Sequence, residues 1–138
     1  MTVTARQKEI IANYDFIENR QERLGAIIDA ARHLPSFEES LRTEENLVRG
    51  CTSQVWLFGE LKDGHCHFRA DCDSPLVRGL VVLLAQAYDG GTPADVASTD
   101  PFLLEELGVW QDLTPTRQNG LAAVRQRIAA LAQSWIKA

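Results

Sequence analysis

Hydrophobic positions in the first third of the chain recur at helical spacing. Ile10, Ile11, Tyr14 and Phe16 stand among charged neighbours between Thr4 and Phe16, which predicts a short amphipathic helix. Leu24, Ile27, Ile28, Ala31 and Leu34 repeat three and four residues apart until Pro35 ends the run, so a second helix follows and the pair makes a helical hairpin. Pro35 to Glu45 is polar and acidic, anchored only by Phe37 and Leu41, and reads as a loop with one helical turn.

The period then changes to two. Val55 to Leu61 and Cys66 to Cys72 flank Asp63-Gly64, a pair suited to a two-residue type I′ turn, in which both central residues need positive φ. That turn sets Lys62 opposite His65, Leu61 opposite Cys66, Gly59 opposite Phe68, Leu57 opposite Ala70 and Val55 opposite Cys72. One face is then apolar or small. The other pairs Glu60 with His67, Phe58 with Arg69 and Trp56 with Asp71, and its two large aromatics need a cover, either another element or another subunit. A short strand at Leu47 and Val48 completes three antiparallel strands, with Cys51 at the bend between the first two.

The second half reads as helices. Ser74-Pro75, Thr92-Pro93, Asp100-Pro101 and Thr114-Pro115 each place a capping side chain before a proline fit for the first helical position. The helix from Pro75 to Gly90 is apolar on all sides at its middle and is the expected core helix. Pro93 to Ser98 and Pro101 to Leu107 are short, the latter closed by Gly108. The last helix carries Leu121, Val124, Ile128, Leu131 and Trp135 as one stripe. The expected fold class is α+β, a three-stranded antiparallel sheet packed with several helices, in a single domain over residues 1–138.

Charge narrows the partners. A net charge of -5 and a pI near 5.1 argue against a nucleic-acid backbone or an anionic membrane, each of which calls for a basic face. The start MTVTARQKEI has no apolar signal core and the run Leu80 to Ala85 is far too short to span a bilayer, so a cytoplasmic location is expected. Three cysteines are too few for a disulfide scaffold and leave at least one thiol free to react.

The chemistry concentrates in GCTSQVWL, Gly50 to Leu57. Gly50 can take any backbone angle and leaves the following sulfur unshielded, while Thr52 and Ser53 offer hydrogen bonds without bulk. Cys51 is therefore open to close approach by a second protein. Cys66 and Cys72 differ, because the register buries both on the apolar face, about 20 Å apart along one strand and unable to bridge. His65 and His67 project from the opposite face, so the two strand cysteines and the two histidines do not converge on one metal ion. A thiol hydrolase using His33, His65 or His67 lacks a readable oxyanion loop, a redox sensor lacks an evident resolving cysteine, and no Gly-rich phosphate loop is present. Arg49 either lowers the Cys51 pKa or is a plain surface arginine. Arg117, poorly placed for a helix dipole, either has a specific partner or makes an ordinary salt bridge. Asp73 reads as a helix cap and Gly79 as a close packing point.

GCTSQVWL, with DSPLVRGL from Asp73 and LTPTRQNGL from Leu113, resembles the signature blocks of the SufE-type sulfur acceptors, in the family's order. The resemblance implies the SufE/NifU-like fold, similar to that of iron–sulfur scaffold proteins, and a homodimer. It implies that Cys51 takes sulfane sulfur as a persulfide from a SufS-like or CsdA-like cysteine desulfurase, stimulates it, and passes the sulfur to a SufB-containing scaffold complex. On this reading the protein is a transfer partner, not an enzyme. It holds no cofactor and no metal, the pyridoxal phosphate residing in the desulfurase. Gly50, Ser53 and Arg117 then support the loop or meet the partner. The alternative from another class is an iron–sulfur scaffold or metal-binding protein using Cys51, Cys66 and Cys72.

Overall fold

The computed structural model describes residues 1–136. Helix α1 spans Val3–Tyr14 and α2 spans Arg20–Arg32, each started by a side-chain cap: Thr2 accepts from the Ala5 amide and Asn19 from the Glu22 amide. Both stop short of the predicted limits, so Phe16 and Leu34 fall outside them and are exposed. The loop after Pro35 contains one 3₁₀ turn, Glu39–Leu41.

Strands β1 (Val55–Lys62) and β2 (His65–Cys72) pair in the expected register from Lys62–His65 to Val55–Cys72. Asp63 and Gly64 have φ of 52° and 78°, as a type I′ turn requires. The expected third strand is not formed: among the described residues the sheet has two strands, and Leu47 contributes a single isolated bridge to Trp56. Val48 donates to the Val55 carbonyl and Leu57 to that of Asn46, both at 2.8 Å. Turns at residues 44–46 and 49–50 close in on Leu47 and Val48 from both sides, leaving too little extended chain for a ladder.

Helices α3 (Pro75–Tyr88), α4 (Pro93–Ser98), α5 (Leu103–Glu106) and α6 (Pro115–Trp135) follow. Thr92 and Thr114 cap α4 and α6 with their hydroxyls, whereas the Ser74 side chain makes no capping bond. The Asp100-Pro101 start is corrected to Leu103: the fully buried Gln7 of α1 places Oε1 at 2.7 Å from the Phe102 amide and 3.2 Å from that of Leu103, and so caps α5 from across the fold. No local spacing reveals a cap that comes from another helix.

Helix α3 is the core element, buried from Gly79 to Ala85 and again at Ala87 and Tyr88. Gly79 is the close packing point expected, since a Cβ there would stand 3.0 Å from Ile28 Cα of α2. Helix α6 lies on the hairpin. Trp135 stacks on Phe68 with ring centroids 6.0 Å apart, and a Cβ on Gly59 would meet Leu131 at 3.0 Å. On the other face the Arg42 guanidinium covers Trp56 at 5.4 Å and pairs with Asp71 at 2.6 Å. Asp71 is buried and also accepts from Arg78 at 2.8 Å, so its charge is matched from two sides, as burial demands.

The candidate functional site

The segment from Leu47 to Gln54 carries the thiol and is fastened at both ends. Before it, Arg127 of α6 donates to the carbonyls of Glu45 and Leu47. After it, the Gln54 amide donates to Asp73 Oδ1 and the Asp73 amide to the Gln54 carbonyl, both at 3.1 Å. Asp73 is thus not the helix cap that its position suggests. It latches the loop to the end of β2.

Between these fastenings the chain turns through Gly50, whose φ of +94° belongs to the region that other residues avoid. A Cβ there would also reach Ala123 of α6 at 3.4 Å. The turn aims Cys51 at the first turns of α6, where its Sγ donates to the Gly120 carbonyl at 3.4 Å. Gly120 and Ala123 lie three residues apart on one face of α6, and their small size admits the loop.

Cys51 is half-buried. Its small pocket, about 20 Å³, is lined by Val55, Val77 and Val81 on the apolar side and by Ser53, Arg117 and Gly120 on the other. A cavity of about 10–15 Å³ admits one water, so there is room beside the sulfur for about one more atom of that size. Burial pushes the Cys51 thiol pKa up, which keeps the resting sulfur protonated.

Of the residues singled out in the sequence, Gly50, Cys51, Ser53 and Arg117 come together here. Arg117 is exposed at the pocket and makes no ion pair among the described residues. Arg49 is a surface arginine: it pairs with Glu44 at 3.1 Å, and both side chains are largely exposed. The site also depends on Asp73, Gly120, Ala123 and Arg127 in roles that no local pattern announces. Two small residues one helical turn apart were the only hint, and a weak one.

Cys66 and Cys72 are free and buried. Burial first, then the carboxylate of Asp89, pushes the Cys66 thiol up to about 11, and burial does the same for Cys72. Among the described residues no group of three or more His, Cys, Asp or Glu side chains is placed to hold a metal ion. No histidine lines the Cys51 pocket; His33 and His65 are exposed and bond to the backbone of Asp29 and Asp63.

Fold and site together define an α+β protein that holds one approachable thiol in a loop fastened between a hairpin and a long helix. The family model for SufE, an Fe–S metabolism associated domain, matches residues 8–132, and the chain belongs to that family. An uncharacterized SufE-like protein of Rhizobium etli is 34% identical over 125 residues, covering 87% of this chain and 84% of its own. One from Rhizobium meliloti is 30% identical, covering 94% and 96%, and one from Synechocystis is 31% identical, covering 86% and 75%. The solution structure of a hypothetical protein from Thermus thermophilus superimposes with a TM-score of 0.75 at 19% identity, covering 94% of each chain, and supports the fold. Among the described residues no helix is long and apolar enough to cross a membrane.

Proposed function

We propose that this protein accepts sulfur for iron–sulfur cluster assembly on Cys51. The Cys51 thiolate attacks the outer sulfur of a persulfide on a pyridoxal-phosphate-dependent cysteine desulfurase. The donor S–S bond breaks, the donor cysteine leaves as a thiolate, and Cys51 carries the new persulfide with no net oxidation. Removal of its product frees the desulfurase for another turnover, and the carried sulfur passes to a cluster scaffold. The protein acts as a homodimer, as its family resemblance implies.

The observation that carries this reading is the pairing of a single reachable thiol with a pocket of about 20 Å³. That space suits one added sulfur and shelters it from reductants behind Val55, Val77 and Val81. Burial raises the thiol pKa and the bond to the Gly120 carbonyl holds the sulfur, so on this reading it attacks more readily once it leaves that position. Docking of the desulfurase draws the loop outward, and Arg117 at the rim offers a positive charge to the partner.

Desulfurase turnover on free cysteine, measured with and without the protein, tests the proposal. Stimulation that vanishes in Cys51→Ser and survives in Cys66→Ala is the expected outcome. Stimulation unaffected by Cys51→Ser rejects the carrier role.

A further inference from the structure

One edge of the hairpin is left half-finished. Val55 and Leu57 of β1 direct their main-chain groups away from β2, toward Asn46 and Val48, so their partners Cys72 and Ala70 direct theirs away from β1. Toward the turn this outer edge of β2 is occupied: Cys66 exchanges two bonds of 2.7 Å with Gly90 and Gly91, and the Phe68 amide donates to Asp89 Oδ1 at 2.9 Å. Beyond that point the Phe68 carbonyl and the Ala70 amide take no partner among the described residues.

Phe68 and Ala70 both line a groove of about 470 Å³ between α3 and the loop after α2. Its walls include Leu34 and Pro35 on the loop side and Val82 and Ala85 on α3. The volume falls within the range of about 300–1,000 Å³ common for ligand sites. Leu34 is 39% exposed, an apolar side chain that its own chain does not cover.

We infer that this groove binds an extended segment of a partner protein, added as a strand to the free half of the β2 edge. The hydrogen-bonding pattern selects the occupant. A helix has already used its main-chain groups, whereas an extended chain presents a carbonyl to the Ala70 amide and an amide to the Phe68 carbonyl. Its alternate side chains meet a lining that is part apolar, at Leu34, Pro35, Val82 and Ala85, and part charged, at Glu38, Arg69, Arg78 and Asp89. The groove follows the outer edge of β2, while the Cys51 segment runs beside β1, so a partner can be held here without obstructing the thiol.

The test is a titration followed by the amide signals of the ¹⁵N-labelled full chain. The probe is an end-blocked pentapeptide of alternating valine and threonine; the control is the same peptide N-methylated at every residue. Saturable shifts centred on Ala70, slower exchange of its amide, and binding at least about tenfold weaker for the control support the inference. Ala70→Pro removes the edge amide without touching the ladder to β1 and should abolish binding; if it does not fold, the N-methylated control decides. Equal binding of both peptides, or no shift at Ala70 at millimolar peptide, overturns it. So does an Ala70 shift that follows protein concentration without peptide, since the edge is then occupied by a second copy.

Discussion

The Cys51 thiol donates to the main-chain carbonyl of Gly120, 69 positions further along the chain, at 3.4 Å. With no side chain at 120, space is left open beside the sulfur. An alanine Cβ would stand 3.6 Å from Sγ, an ordinary contact, but would take space beside a pocket with room for one further atom. Gly120→Ala should therefore stabilise α6 by about 0.5–1 kcal/mol, the usual gain over a mid-helix glycine. It should also make a Cys51 persulfide more quickly lost to added reductant. Thermal unfolding and persulfide lifetime, measured on the same variant, should move in opposite directions.

Gly50 is constrained by its backbone. Its φ of +94° costs an L-residue on the order of 1–2 kcal/mol, whereas the 3.4 Å that a Cβ would keep from Ala123 is an ordinary contact. Gly50→Ala should lower stability by about that amount in urea unfolding. It should also speed alkylation of Cys51 by a neutral reagent, because the turn no longer holds the thiol against α6.

Asp73 closes the other end of the loop through its bond to the Gln54 amide. Losing a bond worth about 0.5–1.5 kcal/mol shifts the loop toward its open form by roughly two- to tenfold. Asp73→Ala should raise the Cys51 alkylation rate by that factor, with little change in the far-ultraviolet circular dichroism. An unchanged rate would mean that the latch does not govern exposure of the thiol.

The two buried strand cysteines make stability depend on alkaline pH. Each is held protonated up to about 11 in the folded chain, against an ordinary value of 9.0. Between those values the unfolded chain binds fewer protons than the folded one, so stability falls as pH rises. The slope is about 1.4 kcal/mol per pH unit for each thiol. Below the ordinary thiol value the contribution is fully present. Urea midpoints should fall across that window, and Cys66→Ala should remove part of the slope while lowering stability at neutral pH through the cavity it leaves.

Much of this arrangement is legible in the sequence because it is local. Asp63-Gly64 dictates a turn, the turn dictates a register, and the register buries Cys66 and Cys72 while leaving the two histidines on the other face. The third strand failed for a reason that periodicity does not carry: Leu47 and Val48 are strand-formers with turns on both sides. The start of α5 was missed because its cap is Gln7, from the far end of the chain. The same holds at the site. GCTSQVWL singles out Cys51 as the candidate thiol, but its resting place is made by Gly120, Ala123 and Arg127, which meet it only through the packing of α6 against the hairpin.

The central claim is that Cys51 takes one sulfur from a donor. Intact-protein mass spectrometry after incubation with a cysteine desulfurase and free cysteine tests it most directly. The predicted result is a gain of one sulfur atom, localised to Cys51 by peptide mapping, reversed by reductant and absent in Cys51→Ser. A gain that persists in Cys51→Ser, or that maps to Cys66 or Cys72, would contradict it.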